Sequence, residues 1–262
     1  MAKVEVSTAD ESPGADDADR LIRYEGAPVP RPRRTGHPLL RFWQSAVGKK
    51  WVMALSGIAL LGFVLAHMIG NLKIYLGPTH LNVYAEWLRT LGEPALPRTV
   101  VLWVMRVGLI LAFVLHIVSA YQLTRMNQKA RPVHYQAPRD YVAANFASRT
   151  MRWTGVIVGL FLIFHLADLT WGTLNPHFVR GDVYDNVIDS FNRVPVAIIY
   201  IVANIALAIH IFHGAWSMFQ SIGLNNPRYN IWRRWFAAGF AVIIGVGNVS
   251  MPLLVVTGVV TK

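Results

Sequence analysis

V-G-K-K-W-V-M-A-L-S-G-I-A-L-L-G-F-V-L-A-H-M-I, residues 47–69, decides the fold class. After Lys49 and Lys50 it carries no Lys, Arg, Asp or Glu. It is also long enough for a bilayer crossing, which takes about 20 mostly apolar residues as a helix. Four further runs read the same way: Thr99–Leu123, Trp153–Trp171, Pro195–Phe219 and Trp235–Val260. Trp51, Trp103, Trp153, Trp171 and Trp235 stand near the ends of these runs, where amphipathic rings meet the headgroup layer. With 54% hydrophobic and 15% charged residues, the chain is predicted to be an all-α integral membrane protein. Its five transmembrane helices would form a bundle, with the termini on opposite sides.

Lys and Arg set the expected orientation. Nine lie before the first run or at its start, where Lys49 and Lys50 stand, six lie between the second and third, and three between the fourth and fifth, against six on the other side. The positive-inside rule then places the N-terminus in the cytoplasm and the C-terminus outside the cell membrane. The same asymmetry accounts for most of the net charge of +11. The basic residues are spread over separate loops rather than gathered on one domain, which argues against a nucleic-acid partner.

Residues 1–44 differ in composition. Asp10 to Asp19 is acidic and polar, and Pro28 to Arg34 is rich in Pro and Arg, as in a flexible or partner-bound cytoplasmic tail. No short apolar core with a small-residue cleavage site follows a basic start, so the segment does not read as a signal peptide. Residues 45–262 are expected to form the five-helix domain. Cysteine is absent, which excludes disulfides and any thiolate-held cluster built by this chain alone. No P-loop, dinucleotide fingerprint or internal repeat stands out.

Four histidines, His67, His116, His165 and His210, sit inside four successive apolar runs, at gaps of 49, 49 and 45 residues. An ionisable side chain within a span is costly and usually faces the bundle interior. At 1.5 Å per residue, His67 and His165 lie roughly 25 and 20 Å from the inner face, and His116 roughly 14 Å. His210 is 18 residues before Arg228. The ordering gives an outer pair, His67 with His165, and an inner pair, His116 with His210. Each pair joins two helices of the same direction and can clamp one metal from opposite sides, as histidine does for haem iron. His213 competes with His210, three residues away on nearly the same face. Arg106, inside the second run on the outer side, is a candidate to neutralise an acidic group of such a cofactor. Polar residues near an interface, Trp43, Ser45 and Lys49 on the inner side and Glu86, Arg89 and Asp168 on the outer, are candidates for a binding pocket, which the resemblance given below implies would take a quinone. These features fit a membrane redox protein. A membrane transporter with a histidine relay, or a histidine-ligated iron centre other than haem, would use the same residue type.

Four segments carry a resemblance to a known family: S-A-V-G-K-K-W-V-M-A-L-S-G from Ser45, H-M-I-G-N-L-K-I-Y from His67, F-H-L-A-D-L-T-W from Phe164 and H-I-F-H-G-A-W-S-M-F from His210. The chain resembles the single-chain cytochrome b (b558-type) membrane anchor of succinate dehydrogenases and fumarate reductases, respiratory complex II, from about Ser45 to the last helix. In that family the axial histidine lies four residues before the glycine of a Gly-x-aromatic step. Gly214-Ala215-Trp216 therefore points to His210 over His213. The resemblance implies two b haems, one on His67 and His165, the other on His116 and His210. It also implies a flavoprotein subunit and an iron–sulfur subunit on the cytoplasmic face, with menaquinone as electron acceptor. The chain itself would carry no flavin or succinate chemistry. The cytochrome b subunit of another respiratory dehydrogenase remains an alternative reading.

Overall fold

The computed structural model describes residues 37–130 and 146–262, with side chains from residue 150 onward in the second stretch. The N-terminal tail before His37, and residues 131–145 of the loop expected to face the partner subunits, lie outside the described residues. The chain divides into Met1–Arg41 and Phe42–Lys262. Of the first part, residues 37–41 are described, and Pro38 opens helix α1 (Pro38–Gln44).

Every element among the described residues is helical. Helix α2 (Ala46–Asn71) starts where Ser45 caps it: the hydroxyl accepts from Gly48 N at 2.9 Å and donates to the Phe42 carbonyl at 2.7 Å. Such a cap satisfies an amide that the first helical turn leaves unpaired. A 3-10 turn (Leu72–Leu76) and Gly77 follow, the latter at φ 93°. Helix α3 (Pro78–Thr90) opens on proline, whose missing N–H costs nothing in a first turn. Then come α4 (Val100–Lys129), α5 (Phe146–Leu169), α6 (Val183–Asn192), α7 (Val194–Ser221) and α8 (Asn230–Val256). Five helices are long and apolar enough to cross a membrane: α2, α4, α5, α7 and α8. They leave large apolar side chains outward, among them Val104 at 67% and Val246 at 65% exposure. Exposed apolar surface on this scale marks a lipid-facing protein. The chain is a multi-pass membrane protein.

Helix α2 packs against α4, α5 packs against α7, and α7 and α2 share α8. Lipid tails are as apolar as leucine, so close approach and interlocking shape hold such helices rather than water exclusion. Gly245 of α8 shows the close approach, because a Cβ there would sit 3.1 Å from Ala208 of α7. Met68, Ile211, Ala241 and Ile244 fill the α2–α7–α8 contact.

The face where α2 begins is the near face, and the opposite one the far face. Sequence patterning did not indicate the two short far-face helices, α3 and α6. They are locked together by Asn82. Its carbonyl oxygen accepts from Val183 N and Tyr184 N at 2.9 and 3.0 Å, and its amide donates to Asp182 at 3.0 Å. Ile74, Leu81, Ile188 and Phe191 are packed beneath, against Tyr200, Met251 and Val255. Lys262 closes on Asp189 at 2.9 Å, and that hydrogen bond raises the Lys262 pKa above its ordinary value.

Candidate functional site: two histidine pairs

The bundle brings the four span histidines together two by two. His67 of α2 faces His165 of α5 with ring centres 5.9 Å apart and planes at 86°. His116 of α4 faces His210 of α7 at 6.4 Å and 67°. Two imidazoles that each bind one metal through a nitrogen about 2 Å away have ring centres about 6 Å apart. Both separations match that spacing.

The near pair is seated by equivalent groups on two helices. His116 Nδ1 lies 3.1 Å from the Met53 carbonyl and 3.4 Å from Ser56 Oγ. His210 Nδ1 lies 3.3 Å from Thr154 Oγ1. Each hydroxyl donates its own proton to helix carbonyls one turn back. Its oxygen therefore accepts, and the imidazole donates from Nδ1. That tautomer leaves the Nε2 lone pair for a metal, the arrangement that outer partners of a histidine ligand enforce. Glycine makes room in both places: a Cβ on Gly57 would stand 3.4 Å from His116 Cε1, and one on Gly155 3.3 Å from His210 Cε1.

This equivalence exposes a repeat that the sequence alone did not make visible. Met53, Ser56, Gly57, Phe63 and His67 on α2 match Met151, Thr154, Gly155, Phe161 and His165 on α5, in the pattern M-x2-[S/T]-G-x5-F-x3-H. Each phenylalanine lies against its histidine: Phe63 on His67 at 5.2 Å, Phe161 on His165 at 5.8 Å. The glycine-to-histidine step of ten residues sets the two layers about 15 Å apart along the helices. Five matched positions among unlike neighbours are hard to notice without the contacts that give them one role.

The far pair has a different second layer on the α5 side. His165 Nδ1 meets Tyr200 Oη at 3.2 Å. Tyr200 donates to Asp168 Oδ2 at 3.0 Å, Ser190 Oγ donates to the same oxygen, and Arg193 bonds Oδ1 at 2.5 Å. Asp168 and Ser190 are fully buried. A buried carboxylate with this many donors is compensated, whereas an isolated one would be very costly. Tyr200, Ser190 and Arg193 were not among the expected site residues. Ser190 and Arg193 stand three residues apart, with Arg193 donating to Ser190 Oγ at 3.3 Å, but Tyr200 comes from α7 and the carboxylate they share from α5.

The remaining expected residues fall in distinct places. His213 is one turn from His210, and its Nδ1 is buried without a partner among the described residues; the ring facing His116 is that of His210. Arg106 of α4 is exposed, its guanidinium 5.0 Å from the centre of the Trp103 ring. Trp43 and Lys49 line a near-face cleft of about 420 Å³ together with Tyr121, Gln122 and Arg125. Lys49 is buried there and donates to the Trp43 carbonyl at 2.5 Å. Gln122 Oε1 is buried and unpaired among the described residues. Ser45 is the α2 cap. Glu86 is held in surface ion pairs with Arg98 at 2.6 Å and Arg89 at 3.2 Å.

Among the described residues no cluster of three or more His, Cys, Asp or Glu side chains forms a metal site. Each histidine pair thus offers two protein donors. Searches of curated proteins and of solved structures give no match. A family model does match, over the end of α4 through most of α8, a range that holds His165, His210 and the Tyr200–Asp168–Arg193 network. That model is of the succinate dehydrogenase/fumarate reductase transmembrane subunit family, and it matches residues 127–247.

Proposed function

We propose that this chain is the membrane anchor and electron-transfer subunit of a succinate:quinone oxidoreductase. It would pass electrons from a partner iron–sulfur subunit to quinone, with menaquinone the expected acceptor. The observation that carries the reading is the pairing of four span histidines at single-metal spacing in a chain whose residues 127–247 match this family's model. Two imidazoles suit a metal whose other positions are filled by its own macrocycle, and haem b fits both sites on that ground. When bound, each haem iron would accept and release one electron.

The protein's own residues do the rest. His67 with His165, and His116 with His210, would each hold one haem through their imidazole nitrogens. Ser56, Thr154 and the Met53 carbonyl fix the near rings, while Gly57 and Gly155 keep side chains off them. The near face would be cytoplasmic and the chain a subunit of the cell membrane, since the positive-inside bias favours that side. Residues 1–44 would form the cytoplasmic tail and 45–262 the cytochrome domain. The flavoprotein and iron–sulfur subunits would dock on the near face. Quinone would bind in the near-face cleft beside Trp43, Ser45 and Lys49. Gln122 Oε1 can accept a hydrogen bond there, and Lys49 supplies the positive charge.

The test is purification of the assembled complex through a tag on this chain. The expected result is co-purification of a flavoprotein and an iron–sulfur protein, with succinate-dependent reduction of menaquinone. Isolation of the chain without them, from membranes whose succinate–quinone activity survives its deletion, would overturn the reading.

A further inference from the structure

We infer that Tyr200 is a positioning residue that sets the reduction potential of the redox centre held by His67 and His165. Asp168, Ser190 and Arg193 are the groups that govern it. The inference rests on the function proposed above and adds a set of residues with a stated direction of effect.

The argument begins at the carboxylate. Asp168 accepts from the Arg193 guanidinium at Oδ1 at 2.5 Å and from Ser190 Oγ at Oδ2, so its carboxylate oxygens act as acceptors. Tyr200 must therefore donate its hydroxyl proton to Oδ2. Its oxygen is then left to accept, and the group facing it at 3.2 Å is His165 Nδ1. The proton order is fixed along the chain: Nδ1–H to Tyr200, and Tyr200 O–H to Asp168. The tyrosine ring cannot turn away, being packed edge-to-face against Phe161 at 5.0 Å and Phe191 at 4.8 Å. Tyr200 itself is buried.

A carboxylate that pulls on the tyrosine proton makes the phenol oxygen a stronger acceptor. The imidazole then gains negative character and becomes a stronger donor to iron, which favours the oxidised state. Ser190 works against this. It donates to the same Oδ2 that Tyr200 uses and withdraws charge from it. Removing Tyr200's hydroxyl and removing Ser190's hydroxyl should therefore move the potential in opposite directions. A role confined to packing gives no reason for opposite signs. The His116–His210 centre is held by hydroxyls and the Met53 carbonyl, with no carboxylate bonded to either ring among the described residues, and serves as the internal control.

The experiment is an optical redox titration of the purified complex, wild type against Y200F, D168N and S190A. In Y200F and D168N the far centre's midpoint should rise. In S190A it should fall, and the near centre should stay put in all three. Far-centre midpoints equal to wild type, or shifted the same way in Y200F and S190A, would overturn the inference. S190A deletes one oxygen and keeps the test open if the tyrosine variant does not assemble. A wild-type complex without any titratable centre would overturn the proposed function and this inference with it. Unshifted variants of a complex that does titrate would overturn this inference alone.

Discussion

His67 and His165 stand 5.9 Å apart at 86° although they belong to α2 and α5. One layer nearer the start of α2, His116 and His210 repeat the relationship from α4 and α7. Two-by-two pairing dictates how single substitutions should behave. Replacing either member of a pair by Ala should remove that centre and spare the other. Reduced-minus-oxidised spectra of the four variants should therefore fall into two classes, His67 with His165 and His116 with His210. His213→Ala should retain both centres. Loss of the near centre in H213A with retention in H210A would reverse the choice on α7.

Gly155 tests whether the near ring needs the space that glycine leaves. A Cβ there would already be 3.3 Å from His210 Cε1. Valine adds two further carbons beside that ring, and overpacking of this kind costs about 1–3 kcal/mol. G155V should displace His210 and broaden or remove the near centre's band, with the far centre unchanged. Gly57→Val should do the same through His116. Ordinary spectra in both variants would show that the rings tolerate a side chain beside them.

Arg193 carries a stability prediction. Its removal leaves Asp168 charged and fully buried, and breaking such a pair typically costs about 3–5 kcal/mol. Arg193 keeps 30% of its side chain exposed, so water softens the loss and the lower end applies. R193M should lower the melting temperature of the solubilised complex. The double variant D168N/R193M should recover much of the loss, because the uncompensated charge is gone. Equal melting temperatures for wild type and R193M would contradict the account of the network.

Orientation has its own test. A reporter fused after Lys262 should be active only outside the cytoplasm, and one inserted between Gln128 and Arg139 only inside. The opposite pattern would exchange the near and far faces in every functional statement, including the side on which the partners dock.

The five spans and the four histidines were legible in the sequence, because an apolar run of bilayer length belongs in a membrane and residue counting gives depth. Depth is not azimuth. Counting places Arg106 within its span but does not give its neighbour, the Trp103 ring 5.0 Å away. Residues joined only by tertiary contact were also hidden. Asp168 looked like a polar group at a quinone surface, whereas three donors from α6, α7 and the turn between them enclose it. The short helices α3 and α6 escaped because their stability comes from the Asn82 lock and the packing beneath it, not from a long periodic pattern. The repeat was written in the sequence throughout, but its meaning lay in the rings that Ser56 and Thr154 touch.

The central claim is that each histidine pair holds one b haem. Its most direct test is pyridine-haemochrome analysis of the wild-type complex, with iron counted beyond that of the iron–sulfur subunit. The account expects two b haems and two such irons per copy of this chain. An assembled, active complex with no b haem would contradict it.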